Sequence, residues 1–284
     1  MGYDSLESSL GVFGSIMAGL GVKLADDSPI KRDFDTTTEF LNDKRTMAEN
    51  AWLEKWSRRV KEFYDAQIVV KRLVDAVVAL RGQARLKGRL KKVLGGPLTQ
   101  DFVPDAAKDH FYELEMAALW AGCGFAVELA EPDVVISGNG LSAPLGVACK
   151  YPSGLASLHE HISKGYRQIA KQGYDGLVVI GLDQLACKGM SNFMDFRQGS
   201  RHPLEVMESL TADAMTRLVA LRAQDYPSER PIDGAMLTMS AVGIYGQPAQ
   251  LTSVRHVTVQ CDGASPGRAD LGVLYRGMQA GGAS

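Results

Sequence analysis

The chain has 284 residues, 45% of them hydrophobic and 23% charged, and a net charge of −2. These values suit a soluble globular protein, either one large domain or a core domain with an appendage. They exclude a polycation, so any attraction for nucleic acid must come from local clustering.

In chain order, Leu10 to Val22 is weakly apolar and carries four glycines. No basic residue precedes it and it is too short to cross a bilayer, so no secretory signal or membrane association is expected. Residues 1–44 lack sustained periodicity and predict short helices and loops. Residues 46–94 contain no proline, and Trp52, Trp56, Val60, Phe63, Val70, Val74 and Val77 recur at helical spacing. One long helix or a helix pair is expected there, stopped by Gly95-Gly96-Pro97. Between Lys55 and Lys92 stand twelve basic and three acidic residues, a local balance of +9.

Beyond Pro104 the pattern changes. A helix is expected over 106–121, then strands over 125–129, 133–137 and 145–151, with Gly138-Asn139-Gly140 as the turn between the last two. A helix over 157–172, a fully buried strand over 176–182, a helix over 203–224 and strands over 235–244 and 251–260 follow. The tail, 281–284, is small and polar and reads as disordered. This order predicts a mixed α/β domain over 101–284, preceded by a helical region over 1–100. Four cysteines, at 123, 149, 187 and 261, lack the C-x-x-C spacing of zinc and redox sites and fit a reducing cytoplasm.

Asp133 opens one strand and Lys150 closes the next, so an antiparallel pairing would bring both to one sheet end. Residues 148 and 150 share a face, because side chains alternate along a strand. Two acids and a lysine converging there would suit phosphodiester cleavage. Such chemistry uses a hard divalent cation, and a lysine can hold the attacking water.

Phe111-Tyr112-Glu113-Leu114, Pro132-Asp133, Gly146-Val147-Ala148-Cys149-Lys150, Tyr166-Arg167-Gln168-Ile169 and Leu177-Val178-Val179-Ile180 follow one another in a set order. Over about 108–183 this resembles the PD-(D/E)XK, or restriction-endonuclease-like, nuclease superfamily. The resemblance implies a mixed sheet flanked by helices and Mg²⁺- or Mn²⁺-dependent hydrolysis of DNA, with RNA also open. It implies Asp133 as the central metal ligand, Glu113 as the supporting helix acid, Lys150 as the catalytic lysine and Gln168 near metal or DNA. A role in restriction or anti-phage defence is implied by the resemblance alone.

The departure is Ala148, where that pattern asks for Asp or Glu. Three explanations stand: an engineered removal of the acid, a natural non-cutting relative, or an acid migrated to Glu115 or Glu128. The chain as written is expected to be inactive or crippled.

Other features have plain alternatives. Arg81, Arg85, Lys87, Arg89, Lys91 and Lys92 are candidate nucleic-acid contacts, or an ordinary solvated face. The Trp52–Val77 stripe suits core packing, or a homodimer or partner-protein interface. His159 and His161 point apart on a helix and make poor joint metal ligands, and His110, His202 and His256 have no evident partner. The rival functions are a non-catalytic nucleic-acid-binding module and a partner-assembly subunit on the same fold.

Overall fold

A computed structural model describes residues 3–98, 105–152, 154–183, 193–195, 232–245, 250–261 and 268–281, with single positions 212 and 216. The helix expected over 203–224, Cys187, His202 and the final three residues lie outside them.

The N-terminal region departs from expectation. It holds two helices of 18 residues each, α1 (Tyr3–Leu20) and α2 (Pro29–Thr46). In α1, Leu6, Phe13 and Met17 are buried at spacings that define one face. Its glycines 11, 14 and 19 have open space where a Cβ would be, so they weaken helix propensity without marking breaks. In α2, Ser28 accepts a hydrogen bond from the Lys31 amide, Pro29 takes the first helical position, and Thr37 bonds back to the Asp33 carbonyl at 2.8 Å.

The expected long helix is three helices: α3 (Glu49–Arg58), α4 (Val60–Ala79) and α5 (Leu86–Val93). Arg59 leaves helical geometry between the first two, at φ −112° and ψ 14°. Gly82, at φ 90°, turns the chain between the last two. Phe40 of α2 stacks on Phe63 with ring centroids 3.6 Å apart, and Trp52 and Trp56 pack edge-on to Phe40. The aromatic stripe is therefore spent inside the chain, while Val60 at its margin is 46% exposed.

Helix α6 (Ala106–Gly122) starts at Asp105, whose carboxylate accepts the Ala107 amide at 2.7 Å. It packs against α4 and α5 on one side and the sheet on the other, and is buried along most of its length. One hydrophobic core runs from α1, α4 and α5 through α6 into the sheet, so the helical region and the α/β region share it.

The strands are β1 (Ala126–Glu128), β2 (Val134–Ser137), β3 (Leu145–Lys150), β4 (Asp175–Gly181), β5 (Phe193–Asp195), β6 (Ile232–Tyr245) and β7 (Gln250–Cys261). They form a mixed sheet in the order β1-β2-β3-β4-β6-β5, with β7 on the other edge of β6. β1, β2 and β3 are successively antiparallel, whereas β4 runs parallel to β3. The return from β3 to β4 is made by α7 (Leu158–Gln172). Gly138, Asn139 and Gly140 all have positive φ, as the expected turn requires. Val147 and Val179 face the core that includes α6, whereas Ala148 and Val178 meet α7 at Gly165.

A final helix, α8 (Arg268–Gly281), was not legible in the sequence. Its Leu271, Leu274 and Met278 are buried. Asp270 accepts the Ser142 amide at 2.9 Å and so ties α8 to the β2–β3 connection.

Candidate functional site

The last backbone pair between β2 and β3 on this side is Val134 with Val147. One residue earlier, the Asp133 carboxylate continues the pairing that the backbone has abandoned. Its Oδ2 accepts the Cys149 amide at 2.8 Å and lies 3.3 Å from the Lys150 ammonium. Lys150 also donates to the Cys149 carbonyl at 3.0 Å. Asp133 and Lys150 thus meet at one sheet end, as the strand geometry predicts. Burial pushes the Asp133 carboxyl up to about 6 and nearby Glu113 adds to the rise, while Lys150 and the Cys149 amide oppose it. Burial likewise holds the Cys149 thiol well above its ordinary range.

Glu113 projects from α6 beside this pair and is 5% exposed. Its Oε1 lies 3.0 Å from His110 Nδ1 and its Oε2 lies 2.6 Å from Arg89 Nη1. The Arg89 contact is a close, poorly exposed ion pair. His110, which had no evident partner in the sequence, is therefore a neighbour of the site. Helix α5, which carries Arg89, is delivered to the site by its packing on α6.

Sequence reasoning missed Asp109. It lies one helical turn before Glu113, on the same face of α6. Burial raises its carboxyl, Lys150 pulls it down, and Glu113 pushes it up, so it belongs to the same charged cluster. The signal was present in the i, i+4 spacing to Glu113. His161 of α7 also faces Lys150: burial lowers its imidazole first, and Lys164 and Lys150 lower it further.

Ala148 is fully buried. A Cβ placed on Gly165 of α7 would stand 3.3 Å from the Ala148 Cβ and 2.8 Å from Val178 Cγ2. The helix reaches the sheet at this point because both residues are small. The two proposed replacements for the missing acid lie elsewhere. Glu115 forks onto Arg72 at 2.7 and 2.6 Å, and Glu128 is exposed on β1, two strands away from β3. Gln168 lies on α7 beyond Gly165, away from the Lys150 end. Its Oε1 is buried without a hydrogen bond, and among the described residues no hydrogen bond or ion pair joins it to Asp133, Glu113 or Lys150.

The basic segment divides in two. Lys55, Arg58, Arg59, Lys71 and Arg72 are all in ion pairs, with Glu39, Asp43, Glu54, Glu62, Asp75, Glu115 and Asp183 as partners. Arg81, Arg85, Lys87, Lys91 and Lys92 are exposed and carry no ion pair among the described residues. Lys87 rests near the end of α1, where a Cβ on Gly21 would be 3.7 Å from its Nζ. Arg85, Arg89 and Lys92 fall at i, i+4 and i+7, one face of α5.

A hard divalent cation takes oxygen ligands and is commonly held by one or two carboxylates plus water. Asp133 and Glu113 are two such carboxylates, and Oε2 of Glu113 could serve as a ligand only where Arg89, 2.6 Å away, gives it up. Among the described residues no three His, Cys, Asp or Glu side chains make a closed metal cage.

The fold is that of an α/β protein with a mixed sheet flanked by helices. No protein-family model matches the sequence, and no curated protein or solved structure matches it either. No described helix is long and apolar enough to cross a membrane.

Proposed function

We propose that this chain is a PD-(D/E)XK-type phosphodiesterase that acts on DNA at the Asp133–Lys150 end of its sheet. The observation that carries the reading is the 3.3 Å approach of Lys150 to Asp133 beside Glu113. The element order α6-β1-β2-β3-α7-β4, with three antiparallel strands and a fourth parallel to the third, supports it. So do the exposed cations of α5, the helix that brings Arg89 to Glu113, since they suit flanking phosphates.

In this reading Asp133 and Glu113 hold Mg²⁺ or Mn²⁺. An ion held there would supply charge neutralisation at the phosphate and a more acidic bound water. Lys150, fixed between the Asp133 carboxylate and the Cys149 carbonyl, would hold the attacking water. Asp109, one helical turn before Glu113, adds negative charge at the site. Restriction or anti-phage defence is the setting that suits such an activity.

A second reading is favoured by one observation. Ala148 is fitted to Gly165, and the two nearest carboxylates already face Lys150 and Arg89. On that reading the site binds nucleic acid without cutting it. The aromatic stripe of α3 and α4, by contrast, is buried against α2 and gives little support to a partner-assembly role.

The test is incubation of single- and double-stranded DNA and RNA with the protein in Mg²⁺, Mn²⁺ or EDTA, beside Asp133→Asn. Metal-dependent cutting that is lost in Asp133→Asn supports the phosphodiesterase. Salt-sensitive binding without cutting supports the second reading. Neither cutting nor salt-sensitive binding sinks both.

A further inference from the structure

Arg89 belongs to two sets of residues at once. It sits between Arg85 and Lys92 on the basic face of α5, where a phosphate backbone would lie on the proposed reading. It is also the cation that holds Glu113, with Nη1 2.6 Å from Oε2 and 3.4 Å from His110 Nδ1. The exposed cations of this segment, Arg81, Arg85, Lys87, Lys91 and Lys92, have no carboxylate partner among the described residues. The pair is poorly hydrated, since the Arg89 and Glu113 side chains are only 13% and 6% exposed. A guanidinium held there competes directly with any cation that Glu113 is to ligate.

We propose that Arg89 couples nucleic-acid binding to metal binding. In the free protein it occupies Glu113. When a phosphate reaches the face formed by Arg85, Arg89 and Lys92, Arg89 turns to it, as a planar fork suited to phosphate oxygens. Glu113 is then released to join Asp133 around the divalent ion. The device keeps metal affinity low until nucleic acid is present. The inference rests on the proposed metal site, and reciprocity requires the metal to tighten nucleic-acid binding by the same factor.

The experiment measures Mn²⁺ binding by the loss of its free electron-paramagnetic-resonance signal, using the full chain with and without a short double-stranded DNA. In the unaltered protein DNA is expected to tighten Mn²⁺ binding by about 5-fold or more. Arg89→Gln is expected to bind Mn²⁺ about as tightly without DNA as the unaltered protein does with it, and to lose the coupling. Arg89→Lys, which keeps the charge, is expected to retain part of the coupling. Lys92→Gln should weaken DNA binding and leave DNA-free Mn²⁺ affinity unchanged, which separates a specific Arg89 effect from a general loss of positive charge.

Mn²⁺ binding that Asp133→Asn abolishes, but that neither DNA nor Arg89→Gln alters, overturns the coupling and leaves the metal site standing. Absence of Mn²⁺ binding in every form overturns the metal site and the coupling with it. Thermal unfolding of each variant, close to that of the unaltered protein, establishes that the fold is intact.

Discussion

Ala148 and Gly165 meet where α7 packs on β3, and each leaves room for the other. A Cβ on Gly165 would stand 3.3 Å from that of Ala148. Ala148→Glu is therefore expected to destabilise the protein by at least about 2 kcal/mol, since a longer, charged side chain must push the helix away or lie buried. Urea unfolding measures it. A variant as stable as the parent, and with new metal-dependent cleavage, would mean that position 148 has room for an acid and has lost one. Gly165→Ala, which would bring a Cβ within 2.8 Å of Val178, is expected to cost about 1–3 kcal/mol by the same crowding.

Asp133 sets a pH dependence with a definite sign. Its carboxyl rises from 3.8 to about 6 on folding, chiefly through burial. The folded state then binds the proton more tightly than the unfolded chain does. The stabilisation is complete below the unfolded value and is lost as pH rises through about 6. The parent should therefore lose stability relative to Asp133→Asn between pH 4 and pH 7, by as much as about 3 kcal/mol for a two-unit shift. Denaturant midpoints of both proteins across that range check this. A constant difference between them would remove Asp133 as the titrating group. Any cleavage should rise over the same interval, because only the ionised carboxylate can hold a cation.

Much of this site was legible because strand geometry is local. The Gly138-Asn139-Gly140 turn and the apolar runs on either side of it fix the β2–β3 pairing, and pairing alone brings Asp133 to Lys150. The hidden parts depend on partners far along the chain. Lys55 and Arg59 counted toward the net positive charge of the basic window, but their carboxylates, Glu39 and Asp43, come from α2. The pairing of Arg89 with Glu113 depends on α5 docking on α6, which no spacing encodes. Helix α1 was obscured by its glycines, which weaken the helical pattern, and α8 carries glycines of its own, Gly272 and Gly277. Gly277 serves instead for close approach, since a Cβ there would lie 2.8 Å from the Phe125 ring.

The division of the basic segment predicts which cations matter for binding. Arg85→Gln and Lys92→Gln are each expected to reduce the slope of log affinity against log salt for double-stranded DNA by about 0.9, the release of roughly one counterion. Lys55→Gln and Arg58→Gln should leave that slope unchanged, because those side chains already face acids within the protein. Fluorescence anisotropy titrations at several salt concentrations distinguish the two groups. Equal effects from both would reduce α5 to an undifferentiated part of the surface charge.

Arg72 anchors a second group of buried charges. Its guanidinium forks onto Glu115 of α6, lies 3.4 Å from Asp183 just past β4, and stands over the Phe111 ring. Tyr151 donates to the same Asp183 at 3.2 Å. One cation thus serves two carboxylates that are 5% and 2% exposed, and it joins α4 to the end of the sheet. Arg72→Met is expected to cost about 3–5 kcal/mol, because it takes the guanidinium away from two buried acids. Adding Glu115→Leu should recover part of that loss, since the double variant removes a stranded charge and fills its space with an apolar side chain. Denaturant unfolding of the four proteins in this cycle gives the coupling. Because Arg72 is buried, its loss should leave the salt slope of DNA binding unchanged in the folded variant, which separates a structural arginine from those of α5. If Arg72→Met were as stable as the parent, Glu115 and Asp183 would have to be protonated or solvated in the folded protein, and the fork would not be what holds α4 to the sheet.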